Sequence, residues 1–164
     1  MNKTIIALGT AAADLVFEFE KISDYDFLLM DSDPGPTRKD FYRISPEQNP
    51  EDYEKSLSKA LVQRLNKTKD KILFIVSGAD LVSSMSLVLL QHLIAKKRSI
   101  DILYIKTSVE FLPERNQIHE KMVRNILQEY TRSALFDKMC LVDFDVVESL
   151  CTDLTILNRS EQVN

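Results

Sequence analysis

The sequence predicts an α/β protein, a doubly wound and mostly parallel sheet with helices on both faces. Two observations carry this. Five short, apolar, strand-like runs recur along the 164 residues, and segments with helical spacing separate them. Composition agrees, since 45% hydrophobic and 28% charged residues suit one folded domain with its own core. Strands that alternate with helices pair in parallel and are buried on both faces.

The first run, Thr4 to Leu8 (TIIAL), is apolar and β-branched, hence a buried strand. Gly9 and Thr10 turn the chain into a helix over Ala11 to Lys21, with Ala12, Leu15, Val16 and Phe19 on one face. Asp26 to Met30 (DFLLM) is the second strand, and Asp31 to Pro36 (DSDPGP) is a loop. Phe41 to Ile44 reads as a short edge strand. A helix over Glu51 to Asn66 turns Tyr53, Leu57, Ala60, Leu61 and Leu65 inward. Lys71 to Val76 (KILFIV) is the third clear strand, and Ser77 to Asp80 leads into a helix over about Leu81 to Lys97. Ile100 to Lys106 is the fourth strand. A helix over Glu114 to Ser133 follows, with Ile118, Met122, Ile126, Leu127 and Tyr130 inward. Met139 to Phe144 is the fifth strand, and a further turn or helix starts at Asp145. These elements make one domain over residues 1–150. Residues 151–164 read as a polar tail or the start of a continuation.

Composition narrows function. There are 3 glycines, Gly9, Gly35 and Gly78, whereas average usage of about 7% predicts roughly 11. A loop that wraps a phosphate in backbone amides needs several glycines close together, so this composition argues against most nucleotide-binding enzymes. The net charge of −4 offers no basic surface for nucleic acid. The apolar runs, such as Ile72 to Val76 and Leu87 to Leu90, are far shorter than the roughly 20 residues of a membrane span. Cys140 and Cys151 cannot build a zinc site alone, and they read as reduced thiols of a cytoplasmic protein. His92 and His119 lie inside helical patterns, outside any metal or triad motif, and read as core or surface residues.

In a doubly wound sheet, ligands sit beyond the carboxyl ends of the strands. The loops there hold Asp31, Asp33, Asp80, Asp143 and Asp145. Such carboxylates hold Mg²⁺ or act as bases when they converge. Otherwise they cap helices and shape turns, which is the commoner use. Ser83, Ser84 and Ser86 open a helix and have the donors to meet a phosphate, yet no GxxxxGK[ST] pattern surrounds them. Arg115, Lys121, Arg124 and Arg132 read as a solvated helix side.

The stretches ALGTAAADLVFEF, FLLMDSDPG, LFIVSGADLVSSMSLVLLQHL, LYIKTSVEFLPERNQIHEKM and CLVDFDVVESL follow one another in a familiar order. In order, spacing and hydrophobic pattern, the chain resembles the GTPase domain of the tubulin/FtsZ superfamily from its first strand to about Leu150. The functional letters of that family are mostly replaced. Gly9 and Thr10 are followed by three alanines where the family has further glycines. Where the family has GGGTG[ST]G, this chain has Asp80, Leu81, Val82, Ser83, Ser84, Met85 and Ser86, so only the Ser83 hydroxyl matches the family's Thr. Phe144 replaces the base-reading Asn. Asp145 keeps the family's Asp, and Glu114 is a loose match to the ribose-contacting Glu.

The resemblance implies a vestigial nucleotide pocket or interface made of Gly9, Thr10, Asp31, Asp33, Gly78, Asp80, Leu81, Val82, Ser83, Ser84, Met85, Glu114, Phe144 and Asp145. It also implies a missing core helix and second domain, which in the family carry the loop that completes hydrolysis. The expectation is therefore a non-catalytic structural or assembly protein with no metal and no cofactor. Its partners are proteins, as a homo-oligomer or within a larger assembly, in the cytoplasm or, for a phage source, in a virion. Leu81, Val82, Met85 and Phe144 are expected to form an exposed apolar patch for such contacts. The alternatives are a divergent GTP-binding protein or GTPase, with GTP and Mg²⁺ as cofactors and a catalytic loop from another chain, and a regulatory module for a different small ligand.

Overall fold

The computed structural model describes residues 3–21 and 25–150. Six strands form one sheet: β1 (Lys3–Leu8), β2 (Asp26–Asp31), β3 (Phe41–Arg43), β4 (Lys71–Ser77), β5 (Ser99–Lys106) and β6 (Lys138–Asp143). Their order is β3-β2-β1-β4-β5-β6, and every adjacent pair is parallel. The sheet centre is the most apolar. Ala7 pairs with Leu29 on one side and Ile75 on the other, and Ile75 pairs with Leu103. Ala7, Leu29 and Ile75 are fully buried, as central strands of a two-faced sheet require.

The two faces are covered unequally. Helix α1 (Thr10–Glu20) packs Ala12 and Val16 against Ile5, Ala7, Leu29, Ile75 and Ile105. The other face carries α2 (Pro50–Lys55), α3 (Lys59–Leu65), α4 (Met85–Ala95) and α5 (Glu114–Arg132), around Phe74, Tyr104 and Leu89. A short helix α6 (Phe144–Leu150) follows β6.

Several expectations shift. The helix expected over 51–66 is two helices. Pro50 and two acidic residues start α2, where proline and negative charge favour a helix N-terminus. Serine chemistry then divides the segment. The Ser56 hydroxyl donates to the Tyr53 carbonyl at 2.7 Å, and Ser58 caps α3 by accepting the Leu61 N–H at 3.1 Å. Tyr53, Leu61 and Leu65 are buried, but Ala60 is exposed. The helix expected from Leu81 begins as a 3-10 turn, Leu81–Ser84, and becomes α-helical at Met85. The final strand ends at Asp143, so Phe144 belongs to α6.

Helix α5 is rotated relative to its expected face. His119, Glu120, Val123 and Leu127 point inward, while Ile118 is 55% and Met122 56% exposed. Arg124 is not a solvated charge, since its Nε lies 3.3 Å from the buried Glu120 carboxylate. Cys140 is a free, exposed thiol. Cys151 and the expected tail lie outside the described residues.

Candidate functional site

The strand order reverses between β1 and β4, so the crevice where a doubly wound sheet takes ligands lies between the turns after these strands. Gly9 makes the first turn. Its φ of 90° is one that side chains rarely adopt, and its N–H donates to the Met30 carbonyl at 2.8 Å. A Cβ here would meet Asp80 Oδ2 at 3.3 Å and Val82 Cγ1 at 3.6 Å. The second turn thus lays the Asp80 carboxylate and Val82 directly against the first.

Acidic groups surround this contact. Asp31, at the end of β2, is buried, and one of its oxygens accepts the Thr10 hydroxyl at 2.7 Å. Its other oxygen accepts the Asp33 N–H at 3.3 Å, which closes the start of the loop. Asp80 reaches solvent at the rim, and its side chain caps nothing. Its partial desolvation, then repulsion from Asp31 and Asp33, raises its pKa above the ordinary carboxylate value. Asp14, on α1, is raised by desolvation and by Asp31. Among the described residues, no group of three or more His, Cys, Asp or Glu has a metal-holding arrangement. Asp31 and Asp143 both shape turns, Asp143 accepting the Asp145 N–H at 3.1 Å and also a lysine, Lys106, at 2.5 Å.

Below the rim, the residues after β4 turn into the protein. Gly78 is buried with no room for a side chain, since a Cβ would lie 2.2 Å from the Tyr104 hydroxyl. That hydroxyl donates to Glu120 Oε1 at 3.0 Å and to the Glu120 carbonyl at 3.2 Å. Burial, followed by the Glu120 charge, raises the Tyr104 pKa and keeps the phenol protonated. Ser83 and Ser84 point to α5 rather than outward. Their hydroxyls lie 3.0 and 3.4 Å from His119 Nε2. Burial depresses the His119 pKa most strongly and Arg115 adds to this, while a bond to the Asp80 backbone and the charge of Glu51 oppose it. Ser83 is fully buried, with its hydroxyl against the histidine.

The crevice therefore gathers Gly9, Thr10, Asp31, Asp33 and Asp80, with Val82 beside them. Gly78, Ser83 and Ser84 form its buried underside. The expected apolar patch is corrected: Val82 and Met85 are 2% and 0% exposed and belong to the core, which leaves Leu81 and Phe144 half-buried. Phe144 and Asp145 follow β6, two strands from β4. Glu114 stands exposed in the first turn of α5. Sequence reads His119 as a core or surface residue and passes over Glu120 and Tyr104. The one signal was that His119, Glu120, Val123 and Leu127 share a helical face, which an apolar count passes over because two of the four are polar.

No protein-family model matches the chain, and no curated protein matches it in sequence. In three dimensions it is similar to a solved structure of FtsZ from M. jannaschii, an empty dimer, with a TM-score of 0.75 at 11% identity. The match covers 98% of this chain and 50% of the FtsZ chain, so the protein spans half the length of that relative. With its six parallel strands in this order and helices on both faces, the chain has the fold of a tubulin/FtsZ-like nucleotide-binding domain.

Proposed function

We propose that this tubulin/FtsZ-like domain is a non-catalytic structural or assembly protein that acts through protein–protein contacts, with a crevice that does not take nucleoside triphosphates. The observation that carries this is the Asp80 carboxylate packed against Gly9, with Asp31 and Asp33 acting on the same charge. A triphosphate there meets negative groups rather than bare amides. Like charges about 4–5 Å apart repel by roughly 3–4 kcal/mol at an effective dielectric near 20. The hydroxyls suited to phosphate, Ser83 and Ser84, are turned to His119. Gly78, which a phosphate loop would use for close approach, serves the packing of Tyr104.

The test is calorimetric titration with GTP and with ATP, each with Mg²⁺. The expected affinity is about 1 mM or weaker, which corresponds to roughly −4 kcal/mol. Micromolar affinity overturns the proposal and favours a GTP-binding protein. The assembly half is tested by replacing Leu81 and Phe144 with Asp. The expected result is a folded protein that no longer assembles through its strand-end loops, read by light scattering. Unchanged assembly refutes contacts at that face.

A further inference from the structure

Helix α5 carries a row of side chains that its own domain leaves uncovered. Ile118 and Met122 are 55% and 56% exposed, Ile126 is half-buried, and Arg115 and Glu129 are exposed. At about 100° per residue these five positions fall within roughly 80° of one another, so they form one narrow stripe. A cleft of about 330 Å³ lies beside the stripe, with Leu87 of α4 and Pro50 and Glu54 of α2 on its other wall. Exposed isoleucine and methionine at four-residue steps are a contact surface awaiting an occupant.

The pattern of the stripe identifies that occupant. From Met122 the steps are four residues and then three in each direction, to Ile118 and Arg115 on one side and to Ile126 and Glu129 on the other. The row reads the same from both ends except for charge, which is positive at one end and negative at the other. An antiparallel copy of the same helix matches such a row at every position. Two-fold contacts require this self-complementarity. We propose that α5 is a homodimerisation helix: two copies pack it antiparallel about a two-fold axis at Met122, with Ile118 of each against Ile126 of the other.

The charged ends then meet. Arg115 of one copy lies beside Glu129 of the other, and this occurs twice by symmetry. Arg115 already donates to the Gln48 carbonyl at 2.9 Å and to Asn49 Oδ1 at 3.3 Å, both through one nitrogen, which leaves other guanidinium donors for a carboxylate. Glu129 is paired with Arg132 within its own helix and has a second oxygen to offer. These pairs are solvent-exposed, so they set register and orientation more than strength. The apolar centre supplies the association. This surface is separate from the strand-end loops and does not rest on the contacts proposed there.

The test combines sedimentation equilibrium with cysteine cross-linking on the full chain. The parent is expected to dimerise, and Met122→Arg to weaken the dimer at least tenfold while the circular dichroism spectrum is kept. Arg115→Glu and Glu129→Arg are each expected to weaken it, and the two together to restore it. With Cys140 and Cys151 replaced by Ser, Met122→Cys is expected to form a disulfide-linked dimer. Ile118→Cys alone is not, because the two copies of residue 118 lie about 12 Å apart along the axis, beyond the roughly 7 Å reach of a disulfide. An equal mixture of Ile118→Cys and Ile126→Cys is expected to cross-link. A parent that stays monomeric up to millimolar concentration overturns the proposal. So does a dimer that Met122→Arg leaves intact, or efficient cross-linking of Ile118→Cys to itself. If Asp at Leu81 and Phe144 dissociates the protein while Met122→Arg does not, the strand-end face alone holds it together and α5 does not. The converse result supports α5 and refutes the strand-end face.

Discussion

Replacing Gly78 with Ala asks whether this glycine is kept for packing. The new Cβ would lie 2.2 Å from the Tyr104 hydroxyl, 3.0 Å from Glu120 Cα and 3.1 Å from the Glu120 carbonyl oxygen. Gly78 does not have a positive φ, so the backbone accepts alanine and only the space refuses it. To reach ordinary contact the fully buried Tyr104 hydroxyl must move by about 1 Å, away from the two Glu120 oxygens it donates to. Overpacking of this kind costs about 1–3 kcal/mol, and a lost hydrogen bond to a charged group about 1.5–3. The substitution is expected to destabilise by about 3–5 kcal/mol, a large part of the roughly 5–15 that holds a domain together. Tyr104→Phe alone is expected to cost about 1–3 kcal/mol, because Glu120 loses its phenol and keeps Arg124. Both changes together are expected to cost less than their sum by about 1–2 kcal/mol, since the clashing oxygen is gone. Urea denaturation followed by circular dichroism measures all three. A Gly78→Ala protein within about 0.5 kcal/mol of the parent, or an additive pair, refutes the reasoning.

Three further outcomes follow from the same geometry. Gly9→Ala is expected to cost about 1–3 kcal/mol, because alanine is strained at a φ of 90° and its Cβ crowds Asp80 Oδ2; thermal melts would show it, and an unchanged midpoint contradicts the strain. Asp80→Asn is expected to stabilise the protein at pH 7 by less than about 1 kcal/mol, the group being exposed at the rim. The raised pKa fixes the sign: folding disfavours the charged form, so the penalty is full above the folded pKa and vanishes below the unfolded value of 3.8. The gain over the parent should therefore shrink as pH falls from neutrality toward 3.8, and a gain that grows on acidification would contradict it. Ile75→Asp, which places a charge at a fully buried position of β4, is expected to prevent folding, and a cooperatively melting variant would mean that the site is not core.

Sequence alone determined the sheet and its covering helices, because burial on both faces leaves a local record. Behind a polar first residue, the runs TIIAL, DFLLM and KILFIV are apolar throughout, and Ala12 and Val16 repeat at helical spacing. It also determined the poverty of glycine at the strand ends and the placing of Asp31, Asp33 and Asp80 there. The division of α2 from α3 was less legible, because Ser56 and Ser58 interrupt the helix through hydrogen bonds that composition does not reveal. Only the tertiary structure decided which way side chains face. Val82 and Met85, expected in an exposed patch where a helix begins, belong to the core, Val82 in the 3-10 turn and Met85 at the start of α4. On α5, Ile118 and Met122 look like core residues and are exposed. Glu120 can take an inward position because Tyr104, a strand away, donates to it and Arg124 balances its charge. A buried polar group is stabilised by the partners that the fold brings to it, so its burial is settled by those partners and not by its own hydropathy.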